Sequence, residues 1–130
     1  MELARGGPDV AKWNRRSLLR ACEDVLNQAD CEVVLGGVTE SKTTAWGEYD
    51  LDSAGRATNI RFRIDPSKAS LIEGLLHEAL HVVLDRYLVG FNEGLEEVVI
   101  RAIEEELWKK GFSPGDVKRW RALIERKIGR

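Results

Sequence analysis

The chain of 130 residues has only two histidines, and they stand four apart with a glutamate directly after the first: His77-Glu78-Ala79-Leu80-His81. This is the H-E-x-x-H pattern. On a helix, residues four apart project from one face a turn apart, so both imidazoles can reach a single zinc ion at roughly 2.0 to 2.1 Å. Glu78 lies about 100° round the helix from His77. Its carboxylate can therefore address a water on the metal instead of the metal itself, which is the position of a general base. With two histidines and 14 glutamates in the chain, random placement would produce the pattern in about 0.2% of such sequences.

Catalytic zinc needs a third protein ligand and an open position for water. The metzincin solution requires glycine and histidine where this chain has Leu84 and Tyr87, so that class is excluded. The remaining common solution is a glutamate after the helix, and Glu93, Glu96 and Glu97 are available.

The segment Asn92-Glu93-Gly94-Leu95-Glu96-Glu97-Val98-Val99 resembles the second motif of the thermolysin-like zinc metallopeptidases, the gluzincins. The resemblance is specific over residues 77 to 103 and architectural before that. It implies a zincin-like domain in which zinc is held by His77, His81 and Glu93. Glu97 would support a zinc histidine from behind, and Asp85 matches an aspartate of the thermolysin-type active helix. It further implies that Glu78 takes a proton from the attacking water and passes it to the leaving amine of a peptide or protein substrate. The chain departs from that family in two respects, the lack of a third histidine and a short connection: only eleven residues separate His81 from Glu93. That trimmed connection keeps Glu96 and Glu97 open as the third ligand. In size and layout the chain is also similar to small H-E-x-x-H proteins of phage and prophage genes. With no third histidine, an oxyanion donor would have to come from Tyr49 or Tyr87. The alternative is a non-catalytic zinc-binding or protein-interaction module that retains the site.

The elements that must position these residues can be read from periodicity. Apolar Val10, Trp13, Leu18, Ala21, Val25 and Leu26 recur at helical spacing from Pro8 to about Ala29. Cys31 to Leu35 is a short strand broken by Gly36-Gly37, and Thr43 to Leu51 is a second. After the turn Asp52-Ser53-Ala54-Gly55, residues Asn59 to Ile64 alternate strictly, with Ile60, Phe62 and Ile64 on one face and Arg61 and Arg63 on the solvent face. Thr44-Ala45-Trp46 could form the edge strand that pairs with a peptide.

Asp65-Pro66 ends the third strand, and Ser70 with Glu73 forms a capping box for the second helix. That helix is expected to run from residue 67 or 70 to the upper eighties. Its apolar arc, Leu71, Ile72, Leu75, Leu76, Ala79, Leu80, Val82, Val83 and Tyr87, should face the core. Gly74, His77, Glu78, His81 and Asp85 should line a cleft, with Gly74 leaving space below Glu78. Asn92 caps a third helix whose stripe is Leu95, Val98, Val99, Ala102, Ile103 and Leu107, with Glu104-Glu105-Glu106 as its solvated face and Gly111 as its end. Ser113-Pro114-Gly115-Asp116 starts a fourth, carrying Val117, Trp120, Leu123 and Ile124. The expected fold is a single α+β domain over residues 1–130, with about four helices and a two- to three-stranded sheet packed against the H-E-x-x-H helix.

Composition bounds the partners. Twenty basic against 22 acidic residues, a net charge of -2, give no basic field for a nucleic-acid backbone. No apolar run approaches the roughly 18 residues of a membrane span, and the start of the chain lacks the apolar region of a secretory signal. The expected setting is cytoplasmic, and the expected cofactor is Zn2+. Cys22 and Cys31 lack ligand spacing and read as small apolar residues. Nothing in the sequence specifies an oligomeric state.

Overall fold

The computed structural model describes residues 14–36, 45–65 and 71–128. Four α-helices, α1 (Arg15–Asn27), α2 (Leu71–Val83), α3 (Glu93–Glu106) and α4 (Pro114–Ile128), accompany three strands, β1 (Cys31–Leu35), β2 (Ala45–Leu51) and β3 (Ala57–Ile64). The fold is α+β, with the strands in spatial order β1-β3-β2. β1 runs parallel to β3, with Cys31 opposite Ile60 and Leu35 opposite Ile64. β2 runs antiparallel to β3 on the other side, with Ala45 opposite Ile64 and an irregularity between Glu48 and Asp50. β2 is therefore an edge strand. Thr43, Thr44 and Gly37 lie outside the described residues.

Local chemistry explains most boundaries. Asn14 is extended and accepts a hydrogen bond from the Ser17 N–H, while the Ser17 hydroxyl accepts from the Asn14 N–H. This capping box starts α1 at Arg15, later than the first turn expected at Pro8; Pro8, Val10 and Trp13 are outside the described residues. The β2–β3 hairpin closes where Asp52 accepts from the N–H groups of Ala54 and Arg56, with Gly55 in the left-handed region at φ 80°. The alternation of β3 is as expected: Ile60, Phe62 and Ile64 are fully buried. On the other face Arg61 pairs with Glu32 and Glu48.

The buried side chains form one hydrophobic cluster drawn from all four helices and from β1 and β3. α2 packs against β2, β3, α1 and α3. It buries Ile72, Leu75, Leu76, Ala79, Leu80 and Val82, the expected apolar arc. Its α-helical hydrogen bonding ends near Val83, earlier than expected, because the chain tightens into a 3-10 turn over Asp85–Tyr87, with the Tyr87 N–H donating to Leu84 and the Leu88 N–H to Asp85. The start of α2, with Pro66 and Ser70, is outside the described residues.

α3 begins as expected, the Asn92 side chain accepting from the Leu95 N–H at 2.8 Å. Its buried face is different. Ile100 and Leu107 are buried, whereas Leu95 and Val98 are 46% and 63% exposed and Ala102 is exposed too. A π-helical turn over Leu107–Gly111 follows. α4 opens on a reciprocal cap, with the Ser113 N–H donating to Asp116 and the Asp116 N–H to the Ser113 hydroxyl. Cys22 and Cys31 are free, buried thiols. No helix among the described residues is long and apolar enough to cross a membrane.

Candidate metal centre

The arc of α2 opposite the core, Gly74, His77, Glu78 and His81, lines a cleft of about 870 Å³. β2 supplies Ala45, Trp46, Gly47 and Tyr49 to the same cleft, and α3 supplies Glu93, Glu96, Glu97, Arg101 and Glu104. Both histidines are engaged at both ring nitrogens. The Nδ1 atoms lie 2.6 Å from Glu104 Oε1 for His77 and 2.7 Å from Glu96 Oε2 for His81. The Nε2 atoms converge on a single oxygen, Glu97 Oε1, at 3.2 Å from His77 and 2.7 Å from His81. Ligand atoms of His77, His81 and Glu97 lie within 4.8 Å of one another.

This donor set suits a cation. Carboxylates at both Nδ1 atoms favour Nδ1–H, which donates to Glu104 and Glu96 and leaves each Nε2 with its lone pair forward. Two nitrogen lone pairs then face one carboxylate oxygen. Protons on the rings, whose centroids are 5.0 Å apart, or one metal ion would satisfy lone pairs that face one another in this way. Two imidazoles and a carboxylate are a zinc ligand set. Arg101 Nε lies 3.3 Å from the second oxygen of Glu97, which holds that carboxylate in orientation.

The structure thus brings Glu97, not Glu93, to the histidines. The reason is the pairing direction: His77 meets Glu104 and His81 meets Glu96, so α3 runs antiparallel to α2 and Glu93 falls beyond His81. Glu93 still lines the cleft. Glu96 and Glu104 hold the backs of the two rings, the function the resemblance implied for Glu97. Asp85 instead accepts the Tyr49 hydroxyl proton at 2.5 Å. Burial and that hydrogen bond push the Tyr49 pKa well above its usual value, while Tyr49 lines the cleft. Tyr87 packs against the core and is not among the cleft-lining residues.

Glu104 is the residue that sequence reasoning missed. It was grouped with Glu105 and Glu106 as a solvated face, but its side chain is only 13% exposed. Seven residues after Glu97 is two helical turns, so the signal lay in spacing and was masked by the run of three glutamates. Glu73 adds a further acid behind the site, hydrogen-bonded to Glu104. Its pKa is raised by burial and by the hydrogen bond and charge of Glu104. Burial also opposes the charged form of Glu104, but the hydrogen bonds from His77 and Glu73 outweigh it and lower its pKa.

The remaining electrostatics follow from the same contacts. For His77, burial opposes protonation, but the Glu104 hydrogen bond and the charges of Glu78, Glu97 and Glu104 raise its pKa overall. Glu97 is lowered in spite of burial, because both histidines face it. Glu78 is raised, mainly by burial. Gly47 explains how that burial arises: a Cβ there would sit 2.9 Å from Phe62 Cδ1 and 3.0 Å from Glu78 Oε1. Only glycine lets the edge strand pass so close to this carboxylate. At Gly74, by contrast, a Cβ would make ordinary contacts with Ala45 and Ile64. Compared with family models, curated proteins and solved structures, the chain matches none.

Proposed function

We propose that the chain is a zinc-dependent peptidase, a metal-dependent hydrolase in which Glu78 is the general base. The observation that carries this reading is the approach of His77 Nε2 and His81 Nε2 to one oxygen, Glu97 Oε1, at 3.2 and 2.7 Å, with Glu78 lining the same cleft outside the ligand group. Those three residues would hold the ion. Zinc bound there supplies Lewis acidity toward a carbonyl and acidifies a water.

The chain's own groups do the rest. Glu96 and Glu104 fix the imidazole tautomers, and Arg101 steadies Glu97. Glu78, whose raised pKa brings it nearer to neutrality, accepts a proton from the attacking water and delivers it to the leaving amine. Among the described residues β2 is an edge strand whose residues line the cleft, so its outer backbone groups can hold an extended peptide by strand addition.

The test is Glu78→Gln. The variant should retain zinc and lose peptide hydrolysis by at least about a hundredfold, measured on a quenched-fluorescence peptide library. Undiminished hydrolysis in the variant would remove Glu78 from this role. A wild-type protein that binds zinc but cuts no peptide would favour a non-catalytic zinc module.

A further inference from the structure

Once Glu97 takes the place at the histidines, Glu93 is left without a structural task. It lines the cleft, is exposed, and its side chain makes no hydrogen bond or ion pair with any of the described residues. Phe91, two residues earlier, and Trp46 on β2 also line the cleft, yet remain 41% and 42% exposed. Large aromatic rings left in water on the walls of a cleft that also holds a carboxylate with no side-chain partner among the described residues form a combination that attracts an organic cation through charge and through the ring faces.

The charge balance of the cleft points the same way. Six glutamates line it against one arginine, Arg101. A dication at the histidines compensates only part of that charge. Arg101 is engaged by Glu97 and lies eight residues from Glu93, about 12 Å along the helix, too far to neutralise it. Glu93 is separated from Glu97 by about 6 Å of helix rise, within reach of the flexible four-carbon stem of a lysine bound near the metal ligands.

We infer that the cleft selects peptides carrying a lysine or arginine next to the bond to be cut, with Glu93 recognising the cation and Trp46 and Phe91 forming its apolar walls. The position of the cut rests on the peptidase reading; the cation preference does not.

The experiment separates the two. Three dansyl pentapeptides that differ only in a central lysine, norleucine or glutamate are titrated into zinc-loaded Glu78→Gln protein, so that binding is read without turnover. The lysine peptide should bind at least about tenfold tighter than the norleucine peptide, and the glutamate peptide weakest. Adding Glu93→Gln should bring the lysine-to-norleucine ratio to within about twofold of one. Equal binding of the lysine and norleucine peptides, or a ratio that survives Glu93→Gln, overturns the inference. Hydrolysis of the same peptides by wild-type protein is the second arm. Cleavage with no lysine preference overturns the inference and leaves the peptidase reading intact. Lysine-selective binding with no cleavage supports cation recognition and removes the peptidase reading.

Discussion

Each histidine at the site has two tasks, one for each ring nitrogen, and the residues behind the rings matter as much as those in front. Glu104 holds His77 at 2.6 Å and Glu96 holds His81 at 2.7 Å. Replacing Glu104 by Gln should weaken zinc binding about 10- to 100-fold, measured by competition with a chromophoric chelator; unchanged affinity would mean the contact is incidental. Gly47 acts through shape. Gly47→Ala places a methyl 2.9 Å from the buried Phe62 ring, so a destabilisation of about 1 to 3 kcal/mol is expected, with hydrolysis falling further than stability because Glu78 is displaced too. Thermal unfolding together with activity checks both. At this scale His77, Glu78 and His81 were legible because their spacing alone aligns them on a helix. Glu104 was not, since its partner is 27 residues away and its neighbours Glu105 and Glu106 are exposed.

Helix α3 carries the main conflict between element and site. Aiming Glu97 and Glu104 at α2 rotates Leu95, Val98 and Ala102 into solvent and leaves Ile100, Ile103 and Leu107 toward the core. Periodicity found the helix and Asn92 its start, but rotation about the helix axis is set by what the carboxylates face. No single-sequence pattern contains that information. Caps and the alternation of β3 were legible because they depend on neighbours within a few residues. α4 is anchored differently. Asp116 is 1% exposed and accepts from the Ser113 N–H, Arg16 and Arg119, tying α4 to α1. Burial opposes its charge, but these bonds lower its pKa from 3.8 to about 2. The depressed value means that its stabilisation is complete above about pH 4 and is lost as pH falls through about 2, a contribution on the order of 2 kcal/mol. Asp116→Asn should therefore be less stable than wild type near neutrality. The gap should narrow as pH drops from about 4 to 2, which denaturant melts across that range will show.

For the whole molecule, the cleft lies between α2, α3 and the edge strand β2, and among the described residues α2 and α3 are tied across it by the histidine–glutamate contacts and the Glu73–Glu104 hydrogen bond. A dication there would bind the folded chain and not the unfolded one, so zinc should raise Tm and a chelator should lower it. A Tm indifferent to both would place the ion outside the fold's energetics. The α+β architecture was legible because each element carries its own period and caps; the third donor was not, because it depends on the direction in which two helices cross. The most direct test is therefore zinc content after purification without added metal, compared across wild type, Glu97→Ala and Glu93→Ala. Wild type and Glu93→Ala should each carry about one zinc per chain and Glu97→Ala little. No zinc in wild type, or zinc kept by Glu97→Ala and lost by Glu93→Ala, would contradict the proposed metal centre.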